Sequence, residues 1–171
     1  MGPYFSRWLT VLILSLFAVF VFALPVQSTQ ISGTISSTLT ITDDSELVGD
    51  VTCKVEGNAC ILMAAYHIKL NLNGFTMKGT ITGCTQSTSL DDGIDVIGEQ
   101  DVDILGPGLI QGFGGFGIFV DAASKVKIKK VTISDNCFSG IILVGTTDSD
   151  IEKNVSVRNS LGSEGNPCGG T

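Results

Sequence analysis

The sequence predicts an all-β solenoid, in which short strands stack coil upon coil around one shared core. Three observations carry that prediction. First, a glycine-aliphatic motif returns at a nearly constant interval: Gly93-Ile94-Asp95-Val96, Gly117-Ile118-Phe119-Val120 and Gly140-Ile141-Ile142-Leu143, spaced by 24 and 23 residues. A unit that short cannot bury its own apolar face, so successive copies must stack and share a core. Second, each glycine is followed by short bursts of strict period-two alternation, with no stripe of period 3.6 anywhere in the unit. Third, Gly supplies 21 of the 171 residues and aromatics are scarce, as a thin coil with tight corners requires.

Taken in order, the chain opens with Met1–Trp8, whose one cation is Arg7, followed by an uncharged apolar run from Trp8 to Leu24. Pro25 then breaks any helix, and Val26-Gln27-Ser28 offers a small-residue cleavage site. Residues 1–28 therefore read as a secretory signal helix and residues 29–171 as the mature domain. The competing reading is an uncleaved anchor, because the 17-residue run reaches the lower limit for spanning a bilayer.

A loose first repeat begins near Ile61, with Ile68-Lys69-Leu70-Asn71-Leu72 and Phe75-Thr76-Met77 as its bursts. Thr80 to Asp92 is an inserted polar loop containing Cys84. The Gly93 unit continues through Val102-Asp103-Ile104 and Leu109-Ile110-Gln111-Gly112. The Gly117 unit continues through Val126-Lys127-Ile128 and Val131-Thr132-Ile133 to the turn Ser134-Asp135-Asn136. The Gly140 unit continues through Ile151 to Val155-Ser156-Val157-Arg158-Asn159. Asn136 and Asn159 lie 23 residues apart at the same turn, where stacked asparagines can bond to one another and take up the left-handed backbone of a corner. At roughly 23 residues per coil and about 4.8 Å per step, the mature chain makes about six coils and a rod about 29 Å long.

These residues resemble the right-handed parallel β-helix proteins, the group around pectate lyases and rhamnogalacturonases together with many secreted proteins built on the same repeat. The resemblance runs from about Leu47 to Asn159 and rests on the Gly-Ile-x-Val starts, the turn asparagines and Asn71-Leu72-Asn73-Gly74-Phe75. It is specific for the fold. It is unspecific for activity, since lyases, hydrolases, adhesins and structural spikes share that fold.

Charge narrows the partners. The chain carries a net charge of −7, and loss of residues 1–28 removes only Arg7, so the mature domain is more acidic still. Nucleic acid is repelled by such a surface. Lys125, Lys127, Lys129 and Lys130 read as a solvated face alternating outward along one strand rather than as a phosphate track. Five cysteines point to disulfides in an oxidising compartment. Cys53 and Cys60 can close a local loop, Cys137 and Cys168 can cross-link successive coils, and Cys84 is then left over. The alternative for Cys137 is a buried small side chain. No zinc site is expected, because there is no Cys-x-x-Cys and His67 stands alone at a corner.

Two motifs carry less than their patterns suggest. Gly112-Phe113-Gly114-Gly115-Phe116-Gly117 satisfies G-x-G-x-x-G, but a strand rather than a helix follows, so a close-packed corner is the better reading. Asn154-Val155-Ser156 is a glycosylation sequon in a eukaryotic host.

Chemistry is better sought on the outward side of the first strand of each coil. Inward Ile94, Val96, Ile118, Val120, Ile141 and Leu143 force their alternates outward, into the columns Asp95–Phe119–Ile142 and Ile97–Asp121–Val144. Asp91 and Asp92 arrive beside them from the inserted loop. In the lyases and hydrolases that the chain resembles, the comparable face carries the polysaccharide groove. Two neighbouring carboxylates can work as acid and base on a glycoside, or hold calcium. Against catalysis, no Arg or Lys falls in these columns, and the His-Gly and Arg-x-Lys signatures of the hydrolases are missing. The expectation is therefore a secreted, cell-surface or periplasmic β-helix without catalytic activity, which binds polysaccharide or a protein through Asp91, Asp92, Asp95, Phe119 and Asp121. A carbohydrate-active enzyme is the alternative. A metal-delivery β-helix is weaker, since Met63, His67 and Met77 do not cluster by spacing. Finally, Asn166-Pro167-Cys168-Gly169-Gly170-Thr171 reads as the lead-in to a further coil. The expectation is a truncated frame, with Ile141, Leu143, Ile151, Val155 and Val157 left uncovered and the coil ends prone to associate.

Overall fold

Alternating sequences become strands only where a neighbour can take up their backbone hydrogen bonds, and here each coil is that neighbour for the next. The computed structural model describes residues 28–80, 84 and 91–161. The signal segment, most of the inserted loop and Cys168 lie outside the described residues. Those described form strands β1 (Thr29–Ile35), β2 (Leu39–Ile41), β3 (Ser45–Cys53), β4 (Ile61–Met63), β5 (Lys69–Asn71), β6 (Thr76–Gly79), β7 (Ile94–Ile97), β8 (Asp103–Gln111), β9 (Ile118–Asp121), β10 (Lys127–Ser134), β11 (Ile141–Val144), β12 (Asp150–Glu152) and β13 (Val155–Val157). One sheet runs β2-β4-β7-β9-β11. The other runs β1-β3-β5-β8-β10-β12, with β6 and β13 continuing β5 and β12. Every pairing is parallel.

The second sheet bends lengthwise into two faces, giving the coil three sides. The bend lies where β8 and β10 shift register, between Lys129 and Val131. There Lys130 takes φ 58° and Lys153 φ 57°. Gly106 sits opposite, where a Cβ would stand 1.9 Å from the Lys130 carbonyl oxygen. Lys125 likewise occupies a corner, with φ 55°. Only Lys127 and Lys129 of the expected lysine row therefore lie on a strand face.

The core is a set of vertical columns. Ile61, Ile94, Ile118 and Ile141 pair in register, as do Met63, Val96, Val120 and Leu143. Ile61, Met63, Ile94, Val96, Ile118 and Val120 are fully buried. Each such side chain contributes about 1.5–3 kcal/mol of burial. Gly93, Gly117 and Gly140 sit where the backbone enters this column. A Cβ on Gly93 would meet the Gly117 carbonyl oxygen at 2.4 Å, and one on Gly117 would meet that of Gly140 at 2.6 Å.

Asparagines bracket the corners. Asn159 Oδ1 accepts from the Asn136 backbone N–H at 3.1 Å and from Asn136 Nδ2 at 2.9 Å, and Asn136 Oδ1 accepts from the Phe113 N–H at 3.0 Å. This ladder matches the sequence reading, with one correction. The left-handed residues are the preceding Asp135 and Arg158, at φ 57° and 49°. The asparagine itself is spent on bonding between coils. Asn154 brackets the other bend, accepting from the Val131 N–H at 2.9 Å and donating to the Ile128 oxygen at 2.7 Å. Its sequon is thus built into the coil.

Two further expectations change. Cys53–Cys60 forms, but Cys137 bonds to Cys84. The inserted loop returns over the corner beside Cys137, a proximity that linear spacing conceals, and so Cys84 is used and Cys137 is not available to Cys168. Bridging residues 53 apart restricts the unfolded chain more than bridging residues seven apart, by about 4 against about 2 kcal/mol on the chain-entropy view. In the last coil, Val155 and Val157 pair with outward Thr132 and Ser134, while Ser156 pairs with inward Ile133. The two valines therefore lie on the outer face, and a hydroxyl ends that core column.

Gly117→Ala should destabilise the domain by about 1–3 kcal/mol, since its Cβ would also lie 2.4 Å from Ile133 Cγ2. Gly98→Ala, which would meet nothing within 4 Å, should cost less despite its φ of 71°. Urea denaturation of both variants compares the two costs.

Candidate functional site

The outward face of the β2-β4-β7-β9-β11 sheet carries the anticipated columns in register. Asp95 pairs with Phe119 and Phe119 with Ile142, while Asp121 lies between Ile97 and Val144. Leu62 extends the first column beyond Asp95. Ile97 and Val144 are exposed.

Asp92 precedes the strand at the corner and turns inward beneath this face, with only 5% of its surface exposed. Its Oδ1 accepts the Phe116 backbone N–H at 2.5 Å, and its carboxyl shares a side-chain hydrogen bond with that of Asp95. Asp95 Oδ1 is buried with no partner. Burial raises both groups: Asp92 to about 6, against the lowering pull of the Phe116 N–H, and Asp95 to about 7, with the Asp92 charge adding to the rise. Two carboxyls so placed hold one proton between them, because a second negative charge would be stranded in apolar surroundings. Asp91 is the charged neighbour that pushes Asp92 further up.

Asp91 accepts from the Gly57 N–H and so ties the corner to the loop between Cys53 and Cys60. Asp121 sits one coil on and two residues along from Asp95. That offset is about 8 Å from strand geometry, so Asp121 does not join the pair. The five anticipated residues thus divide into a carboxyl pair (Asp92, Asp95), a structural tie (Asp91), and two separate members of the outer columns (Phe119, Asp121).

Aromatic side chains that the sequence reading had assigned to a corner complete the face. Phe116 stacks on Phe119, with centroids 5.6 Å apart and planes inclined by 17°. Phe138 leans on Phe116 at 5.5 Å. The signal was the pair of phenylalanines flanking Gly117 and Gly140 at the repeat interval; stacking of coils turns that interval into contact.

A second polar cluster lies on the adjacent face, in a shallow cleft of about 260 Å³ lined by Asp44, His67, Lys69, Asp101, Asp103 and Lys127. Register places Lys69, Asp103, Lys127 and Asp150 in one column of alternating sign. Lys69 meets Asp44 at 3.1 Å, Lys127 meets Asp103 at 3.2 Å, and Lys129 meets Asp150 at 2.6 Å. His67 Nδ1 lies 2.8 Å from Asp101, and this hydrogen bond, ahead of the charge on Lys127, holds the Asp101 carboxyl below its usual range. Charges satisfied by the coil above or below order the stack and present little that a ligand could capture. Among the described residues no group of three or more His, Cys, Asp or Glu side chains converges to hold a metal ion.

A solenoid of parallel strands with asparagine corners defines a β-helix, and the chain belongs to that family: the right-handed β-helix region matches residues 37–169. No curated protein and no solved structure gave a significant match. Family membership describes the coil and leaves the outer face to speak for the function.

The carboxyl pair should make stability depend on pH. Asp92 and Asp95 have folded values raised above their unfolded ones, so the stability they supply is complete below about pH 4 and is lost as pH rises through 6 to 7. Asp95→Asn should remove that loss. The variant should be close to the native chain at pH 4 and more stable by on the order of 2 kcal/mol at pH 8. Thermal melts across this range give the comparison, and a constant difference would rule out a shared proton.

Proposed function

We propose that this protein acts outside the cytoplasm and binds polysaccharide on the outward face of the β2-β4-β7-β9-β11 sheet, without cleaving it. The observation that carries this reading is the Phe116–Phe119 stack beside the Asp92–Asp95 pair. A sugar ring has an apolar C–H face, which an aromatic ring can cover, and a rim of hydroxyls, which carboxyls can bond. Two disulfides fit an oxidising compartment. No helix among the described residues is long and apolar enough to cross a membrane.

A carbohydrate-active enzyme is the second reading, and the raised Asp95 favours it, since a carboxyl protonated near neutrality can act as a general acid. Spacing argues the other way. Two carboxyls that share a hydrogen bond are too close to flank a glycosidic bond, which needs a separation of about 5 Å or more. A hydrolase would have to draw its second carboxylate from elsewhere.

Binding of soluble neutral and uronate-containing glycans, followed by calorimetry, tests the proposal. Phe119→Ala should weaken binding about tenfold, the equivalent of about 1.4 kcal/mol, while Lys127→Ala on the adjacent face should leave it unchanged. Absence of binding to every glycan class would reject the reading. Release of reducing or unsaturated ends, lost in Asp95→Asn, would replace it with the enzyme.

A further inference from the structure

We propose that the C-terminal coil is an interface at which two copies of this chain join tail to tail, and that a disulfide between their Cys168 side chains locks the pair.

The two ends of the coil stack differ. At the N-terminal end the inward residues of the first strands, Ile31, Ile35 and Ile41, are 4%, 9% and 3% exposed. At the C-terminal end Val144, Ile151, Val155, Val157 and Leu161 are 45%, 41%, 51%, 39% and 51% exposed, and they make up most of the large exposed hydrophobics. Inward Ile141 and Leu143 are themselves only partly buried and pack at the margin of the core. Strands β11, β12 and β13 each pair on one side alone, so their other edges present free N–H and C=O groups. An open parallel edge with an apolar rim is a template for another chain.

The identity of that chain follows from cysteine arithmetic. The sequence holds five cysteines, and Cys53–Cys60 and Cys84–Cys137 use four of them. Cys168 has no cysteine left in its own chain, and in an oxidising compartment an odd cysteine points to a bond between chains. It stands seven residues beyond Leu161, a tether of at most about 25 Å, which lets it reach any point across the end of the coil. A second copy supplies both missing elements at once, an apolar edge and one cysteine. Tail-to-tail pairing also closes on itself, whereas head-to-tail stacking would continue into a filament. Formation of the bridge is balanced: two Cys168 thiols give up two protons and two electrons to an oxidised small-molecule disulfide such as glutathione disulfide, which leaves as two thiols.

The full chain, secreted from an oxidising host, should run on a non-reducing gel as a covalent dimer that collapses to monomer on reduction. Cys168→Ser should abolish the covalent band yet still sediment as a reversible dimer at tens of micromolar. Adding Ile151→Asp and Val155→Asp to Cys168→Ser should give a folded monomer, with circular dichroism confirming the fold. A monomeric native chain in which Cys168 reacts freely with a maleimide would overturn the proposal. So would an open ladder of higher oligomers, or Cys168 found capped by a small thiol.

Discussion

The contact between one coil and the next is the constraint on which the rest of this molecule depends. Within a single turn no strand has a partner and no isoleucine is covered; both needs are met only by the turn above and the turn below. The Ile61–Ile94–Ile118–Ile141 column and the parallel hydrogen-bond ladder beside it are two aspects of one register, and a slip of one residue would turn every inward side chain to solvent. That is why the positions intolerant of a Cβ, among them Gly93, Gly106 and Gly117, lie at close approaches between coils, and why asparagines at the corners spend both ends of the amide on neighbouring turns.

The outer faces inherit this order. Because every coil is in register, any residue type recurring at the repeat interval becomes a column. One face carries an alternating column of lysine and aspartate, in which each charge is neutralised by the next coil. Another carries Asp95, Phe119 and Ile142, which have no such complement. A satisfied column is best understood as part of the scaffold, whereas an unsatisfied one is available to a ligand. The carboxyl pair of Asp92 and Asp95 belongs to the second kind. It lies partly below the surface, holds one buried oxygen without a donor, and borders the aromatic rings, so its proton couples the charge of this face to pH.

The inserted loop is where linear reasoning fails most plainly. Spacing suggested that Cys137 would find Cys168, because both precede the starts of coils. The chain instead returns from its excursion at the same corner, and Cys84 meets Cys137. Similarly, Val155 and Val157 look inward by their chemistry, but the register of β13 puts Ser156 beneath Ile133. In both cases the deciding quantity is a distance or a parity set by an adjacent coil, and neither is written into the local pattern.

What the sequence determined by itself is the solenoid: the glycine interval, the period-two bursts and the turn asparagines each report a local geometric need, and together they allow stacked coils alone. The outward columns were legible for the same reason, since parity within a strand assigns the sides. Tertiary structure decided which columns meet across corners. It brought Phe116 and Phe138 to Phe119, set Asp92 against Asp95, placed Asp121 apart from both, and gave Cys84 its partner. Such contacts join residues one coil or a corner apart, and their distances depend on how sharply the backbone turns there, which no spacing in the chain encodes.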